Sequence, residues 1–371
     1  LLTPIILFVI LMILLYVPPV QNFIRKQATA IASDATGMNI SVERIDLRFP
    51  LNLLVRGVQV VQSENDAVDV QHPDTLLNLG SLNVRVQAWP LLQGRVEVDD
   101  ITLQQVAVNS STLLEGMHIK GTLGRFFLES HGIDLKKENA VLNSVELSNT
   151  HVQVILADTA EAPKDTVETA LNWRIALHSL KLKNVSVDLQ MPLDSMTLAA
   201  NIGDASIEDA NADLKRQFYG WRKFALTGTA VNYDSGTAAL VEGFDASHIA
   251  LRDIRIGIDS VMSCGRDMNV VIREFSMYDR SGLTVTSLTG RLFADSTLIR
   301  VPHLQLTTPH SEMNLTAQTY WKLVDIPTTG RLSARFNANI GKQDVLLFAG
   351  GLPETCLLYT SPSPRDRSVS R

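Results

Sequence analysis

Residue types able to do chemistry are plentiful in this chain: 371 residues include 8 histidines, 39 acidic residues and 2 cysteines. Their spacing decides whether they can act together. A zinc hydrolase of the common kind needs His-Glu-x-x-His on one helix, and that string does not occur. His118, His131 and His178 stand apart, without the short spacings that metal ligands need. Asp99-Asp100 offers paired carboxylates, which could share a proton if held together, but it precedes a strand-like segment and reads as a turn. No Gly-x-Ser-x-Gly elbow, Walker loop or Gly-x-Gly-x-x-Gly string is found. Three tripeptides, beginning at Asn39, Asn184 and Asn314, match glycosylation acceptors, a pattern frequent by chance. The expectation is a protein that is not an enzyme, with no catalytic residue, metal or cofactor.

The most regular spacing belongs to aliphatic residues instead. Ile101, Leu103, Val106 and Val108 lie at offsets 0, 2, 5 and 7. Leu180, Leu182, Val185 and Val187 repeat those offsets, as do Ile249, Leu251, Ile254 and Ile256. Val145, Leu147, Thr150 and Val152 do so with Thr as the one departure. The step of three always spans two polar residues: Gln104-Gln105, Ser148-Asn149, Lys183-Asn184 and Arg252-Asp253. A strand exchanges faces at every residue, so strict alternation would send the later pair to the opposite side. One extra residue per strand, a bulge or corner, restores the face and bends the strand. The twelve residues of the three complete matches are therefore the candidate functional residues, placed on one apolar sheet face.

The remainder of the chain must position that face. Period-two alternation marks strands over Met38–Val61, Leu82–Gln87, Val96–Val108, Val145–Val154, Leu180–Leu189 and Ile249–Ile258. Helix signals after Thr36 are confined to single turns at Leu91–Gln93 and Asn211–Phe218, and 63–74 and 157–168 read as loops. A sheet that is wet on one side needs its apolar side covered. With helices scarce, a sandwich, a curled groove or a solenoid would do so.

At the N-terminal end, Leu1–Val17 carries no charge and would span roughly 25 Å as a helix. It reads as a transmembrane anchor, with Tyr16 at one interface. A cleaved signal peptide is the rival, but Pro18, Pro19, Arg25 and Lys26 separate the run from the cleavage-like Ala28-Thr29-Ala30. An amphipathic helix follows over 18–37, with Val20, Phe23, Ile24, Ala28 and Ile31 on one face and Gly37 just past its end. Gln21, Arg25 and Lys26 form its polar face, and the helix suits either a membrane surface or a plug at one end of the sheet.

At the other end, CLLYTSPSPRD resembles the translation of a sequencing-library adapter, so Cys356 to Arg371 is expected not to be native coding sequence. Without its three arginines and one aspartate, the totals of 33 basic and 39 acidic residues become 30 and 38, a net charge of −8. No Lys/Arg run stands out, which speaks against nucleic acid as a partner. Cys264 is then the sole native thiol, which excludes an intramolecular disulfide, and it is expected to be buried.

The order of these features carries a family resemblance. An apolar run and a helix ending in TGM (Thr36–Met38) precede NISVERIDLRFPLNLLVRGVQV; then come TLLNLGSLNVRV (Thr75–Val86) and WPLLQGRVEVDDITLQQVAVN (Trp89–Asn109). This resembles the N-terminal region of the AsmA-like superfamily, TamB-like members in particular. The run from Pro90 is its most specific piece, and the likeness is clearest from Leu1 to Val108. The resemblance implies a mainly β fold: a transmembrane helix (1–17), an amphipathic helix (18–37) and an elongated, curled β-groove of repeated bent strands (38–355). It implies a single-pass protein of the bacterial inner membrane, its bulk periplasmic. The implied function is to carry phospholipid between inner and outer membranes, to support outer-membrane protein assembly and secretion, or both. Phospholipid acyl chains and the inner membrane are the implied partners. An outer-membrane barrel partner is implied too, through a C-terminal part beyond this chain.

A secreted or surface β-solenoid, used for adhesion or structure, is the alternative that shares the strand repeats; retention by an anchor separates the two. The anchored reading predicts that the full chain stays in the pellet of carbonate-washed membranes. A soluble product beginning near Ile31 would refute it.

Overall fold

The computed structural model of the chain describes residues 18–48, 51–62, 75–87, 97–110, 116–134, 137–156, 172–236, 239–325 and 331–349. The anchor run 1–17, the expected loops at 63–74 and 157–168, the turn at 91–93 and the segment 356–371 lie outside these residues. No helix among the described residues is long and apolar enough to cross a membrane.

The described part of the chain opens with helix α1 (Pro18–Thr36). Two prolines fit its first turn, where the backbone N–H groups have no helical partner. It stops at Gly37, whose φ of 70° continues no helix and whose N–H bonds Ser33 O at 2.9 Å. Strands then follow one another: β1 (Asn39–Arg48), β2 (Asn52–Val61), β3 (Thr75–Val86), β4 (Val98–Asn109), β5 (Met117–Asp134), β6 (Asn139–Leu156), β7 (Arg174–Met191) and β8 (Met196–Asp213). After the short β9 (Phe218–Trp221) come β10 (Lys223–Ser235), β11 (His248–Cys264), β12 (Asp267–Asp279), β13 (Thr284–Val285), β14 (Ser287–Ala294), β15 (Leu298–Thr307) and β16 (Glu312–Tyr320). Helix α2 (Trp321–Asp325), strand β17 (Leu332–Asn339) and helix α3 (Lys342–Ala349) close the described chain.

All seventeen strands belong to one sheet, and each of the first eight pairs with the next in sequence. The pairings are antiparallel except β6 with β7, which run parallel. A parallel step needs a chain return from one end of the sheet to the other, and the segment between Leu156 and Arg174 supplies it. The strands run well beyond the alternating stretches legible in sequence; β7, expected over ten residues, has 18. Residues 211–218 form no helical turn but the end of β8, a tight turn and the start of β9.

The expected bends are present, in a form that single strands do not reveal. In each strand the second residue of the polar pair has left-handed φ: 55° at Gln105, 51° at Asn149, 53° at Asn184 and 52° at Asp253. Gly57 on β2 and Gly228 on β10 do the same, at 60° and 61°. From β1 to β8, however, these residues are not additions relative to the neighbours. Gln105 faces Gly80 on one side, between the pairs Ser81↔Gln104 and Leu79↔Val106, and Gly124 on the other. Gly124 faces Asn149, Asn149 faces Asn184, and Asn184 faces Gly203. From β1 to β8 the pairing passes through this level without a register shift, so the sheet acquires a continuous crease.

Glycines on β3, β5 and β8 permit the close approach. A Cβ on Gly124 would lie 2.8 Å from both Cβ and O of Asn149, and one on Gly203 would lie 2.7 Å from Gly228 O. A second crease crosses β6, β7 and β8 six positions away, where Asn143, His178 and Asp209 face one another and Asp209 has a φ of 51°.

Two substitutions separate the roles. Left-handed φ costs an ordinary residue about 1–2 kcal/mol, so Asn184→Val should lower the urea midpoint while Asn184→Gly leaves it nearly unchanged. Gly124→Val, which must move a backbone, should cost more than Asn184→Val. Equal midpoints for all three would show that the crease is not a structural requirement.

Candidate functional site

Because the creases line up, the aliphatic residues of successive strands fall into rows crossing the sheet. One row reads Ile45, Val55, Leu82, Leu103, Phe126, Leu147, Leu182, Ala205, Leu226 and Ile256, all in direct register. The row beside it contains Ile101 and Leu180 and runs from Leu47 to Ile258 without a polar residue. Across the first crease a third row holds Val106, Val185 and Ile254, interrupted by Thr150 and Thr229. A fourth contains Val108, Val187 and Leu251. With about 4.8 Å between strands, the ten strands of the first row span roughly 45 Å.

The structure thus brings the candidate residues of β4 and β7 together as the sequence pattern implies. Those of β11 share the face but sit one row over. Leu251, Ile254 and Ile256 take the fourth, third and first rows, and Ile249 lies beyond them opposite Tyr233. Two opposed register shifts between β10 and β11 absorb the difference. Six strands of the set were missed in the sequence. Ile40, Val42, Ile45 and Leu47 keep the same offsets, and so do Leu53, Val55, Val58 and Val60, and Leu77, Leu79, Leu82 and Val84. β5, β8 and β10 match once Gly121, Ala200, Ala205 and Thr229 are admitted. The signal was there in full on β1, β2 and β3; on β5, β8 and β10 a rule demanding large aliphatic residues hides it.

Exposure describes the face. Both residues of each crease pair (Gln104-Gln105, Lys183-Asn184 and Arg252-Asp253) are exposed, while the apolar residues on either side are shielded, so the face does survive the bend. Val185 and Ile254 are buried, 6% and 5% exposed. Val108 and Val187 are open, at 38% and 37%, and the other eight candidates are half-buried. Among the described residues no large side chain is fully buried, and no second sheet covers the rows. This is a groove-like apolar surface rather than a sealed core. The opposite face carries Arg125, Glu146, Lys181, Lys183 and Asp204, which line a shallow cavity of about 430 Å³ between the two creases.

The residues whose types could do chemistry are occupied with structure. Asp99 and Asp100 lie within β4 rather than in a turn; neighbours on a strand point to opposite sides. Asp99 accepts a bond from Gln87 Nε2 at 2.6 Å, and the buried Asp100 pairs with Arg85 at 2.5 Å. His178 Nδ1 meets Asp209 Oδ1 at 2.6 Å, and Arg222 Nε donates to the same carboxylate at 2.7 Å. The bond from Arg222, then that from His178, holds Asp209 below the usual carboxylate range. Cys264 is half-buried, not buried as expected, with Sγ 3.7 Å from Arg216 O. No group of three or more metal-ligating side chains occurs among the described residues.

No protein-family model matches this chain, and no curated protein sequence matches it.

Aspartates close turns at the ends of the later strands. Asp245 accepts bonds from His248 Nδ1 at 2.8 Å and from Ser247 N at 2.9 Å. Asp295 accepts from Thr297 Oγ1 at 2.7 Å and from the N–H groups of Thr297 and Leu298. The His248 bond holds Asp245 low, and the Thr297 hydroxyl does so for Asp295. Burial pushes Asp279 up, but bonds from Ser281 and from the N–H groups of Ala250 and Arg280 outweigh it and leave it lowered. A carboxyl whose folded pKa is depressed contributes stability that is full above its unfolded value of about 3.9 and lost as pH falls through the folded value. Thermal melts should therefore show stability falling below about pH 4. Asp279→Asn should be less stable at neutral pH and less acid-sensitive than the parent; an identical acid slope would exclude Asp279 from the effect.

Proposed function

We propose that the chain is the membrane-proximal part of an inner-membrane-anchored, periplasmic lipid-transfer protein of the AsmA-like, TamB-like kind. Its apolar sheet face then carries phospholipid acyl chains from the bilayer towards the outer membrane. The observation that supports this most is the continuity of the aliphatic rows across ten strands on a face that nothing described covers. Burial of apolar surface is worth about 25 cal/mol per Å², so such a face left open to water forgoes stability on every strand. Acyl chains recover it without demanding a shaped pocket, and a row roughly 45 Å long exceeds the ~30 Å hydrocarbon thickness of a bilayer. The anchor is the charge-free run Leu1–Val17, and the creases let the sheet curl around its apolar side. Aromatic residues are 6% of the chain, which leaves a smooth aliphatic lining with few features to select one lipid from another.

Site-specific photo-crosslinking in membranes tests the reading. Val108 and Val187 are the best positions, since they belong to the rows yet have room for a bulky probe; Lys181 and Gln104 on the other face serve as controls. Lipid adducts should form at the first two and not at the controls. A folded, membrane-bound protein that gives no adducts at Val108 and Val187 would reject the conduit.

A further inference from the structure

The apolar rows do not stop at β11. The row that runs from Leu47 to Ile258 continues in direct register through Ile272, Gly290, Leu304, Leu315 and Phe336. The offsets 0, 2, 5 and 7 recur in β12 as Val270, Ile272, Phe275 and Met277, and in β15 as Ile299, Val301, Leu304 and Leu306. A neighbouring row holds Leu288, Leu306, Met313 and Ala338. The last strands therefore present the same kind of face as the earlier ones, but at one flank a helix reaches over it.

Helix α3 meets three strand connections on that flank. Thr308 and Ser311 close the β15–β16 hairpin, with Thr308 N donating to Ser311 O at 2.9 Å. By alternation they share the side of Leu306 and Met313. Both hydroxyls donate to Asp344, which is 6% exposed, so the helix meets the hairpin from the apolar side. Ser311 Oγ also accepts the N–H of Gly341, just before the helix, at 3.0 Å. One turn further on, Leu347 O accepts the N–H of Phe244, in the connection between β10 and β11, at 2.8 Å. The rings of Phe244 and Phe348 lie 5.4 Å apart. Leu347 Cδ2 would touch a Cβ on Gly282, in the turn between β12 and β13, at 3.7 Å. The helix thus crosses the ends of β11 to β16, with Val345, Leu346 and Leu347 half-buried.

The grip is narrow. A helix of eight residues is too short to persist alone in water, so α3 is helical because it is docked. A single carboxylate takes both hydroxyl bonds, and Phe348 at the other end is 62% exposed. An element held by so few contacts opens locally, without the rest of the sheet. We propose that α3 is a lid: docked, it covers the flank of the apolar face on β12 to β16, and released, it opens that flank to acyl chains. This rests on the lipid-carrying reading above. It adds a second stretch of lining, Leu288, Leu304, Leu306, Met313 and Leu315, and the element that controls access to it. Helix and acyl chain compete because either one gives the same rows a dry cover.

The test uses the full chain in membranes with Cys264→Ser and Cys356→Ser, and a photo-crosslinking residue at Leu306, beside the lid, or at Val187 on β7, away from it. Adding Phe244→Cys and Phe348→Cys lets a short, cleavable bis-thiol reagent tie α3 down. The tie should cut lipid adducts at Leu306 about three-fold, and cleaving it should restore them. Asp344→Ala should raise them by about the same factor over the parent. Adducts at Val187 should not change. Hydrogen exchange without lipid reads the lid directly: α3 amides should exchange roughly ten-fold faster than those of β15 and β16, and faster still in Asp344→Ala. If Asp344→Ala does not fold, the tied and cleaved forms of one protein still decide. Adducts at Val187, with yields at Leu306 that ignore the tie, would overturn the lid and leave the conduit standing. Exchange of α3 as slow as that of β15 and β16 would overturn the lid without reference to lipid. Absence of adducts at both positions would refute the conduit and the lid's ligand together.

Discussion

A strand turns its side chains to alternate faces, and a wide sheet with one dry side can bend only if every bend preserves that parity. Here parity is kept with a residue in the left-handed region on β2, β4, β6, β7, β10 and β11, so that three steps along these strands do the work of two. Asn149 and Asn184 tolerate this conformation better than most residues, and the Asn184 side chain bonds that of Asn149 at 2.9 Å across the parallel step. A residue in that conformation brings its backbone and Cβ close to the next strand, where Gly80, Gly124 and Gly203 leave room for it; Asn149 and Asn184 face each other without a glycine, across the parallel step. Neither partner makes sense alone. The crease is a property of neighbouring strands together, and the rows, the register and the open face all follow from it.

Alignment of creases also explains how the sheet absorbs two irregular steps. The 0, 2, 5, 7 spacing reads the same in both directions, so β7 can lie parallel to β6 without disturbing the rows. Between β10 and β11 the crease moves over by one row, and paired, opposite register shifts bring the apolar residues back onto the same side. The face is thus maintained while the backbone pairing gives way locally, as expected where apolar placement is worth more than one or two ladder bonds.

The two edges of the sheet are treated differently. At β1, α1 satisfies outward carbonyls and one outward N–H with side chains, so that edge cannot accept another strand. At the far side, all eight residues of β17 are exposed. Helix α3 beyond it is fastened elsewhere: Asp344 accepts bonds from the hydroxyls of Thr308 and Ser311, and Leu347 O accepts the N–H of Phe244 at 2.8 Å.

Much of this architecture was legible in the residues alone. Alternation determined the β class, and the shared slip in β4, β6, β7 and β11 located the bends to the residue, because solvent exposure and parity act within a single strand. Helix α1 and its stop at Gly37 were equally local. What the sequence could not determine was anything that depends on which strand lies beside which. That the bends align into creases, that glycines on β3, β5 and β8 belong to them, and that β11 is displaced by one row are facts of register. So is the docking of α1 on β1 through Gln21, Arg25 and Ser33: helical periodicity places these residues on one side of the helix, and the unpaired groups of β1 give that side its partners. Packing across strands selects among arrangements that each strand, taken singly, permits equally well.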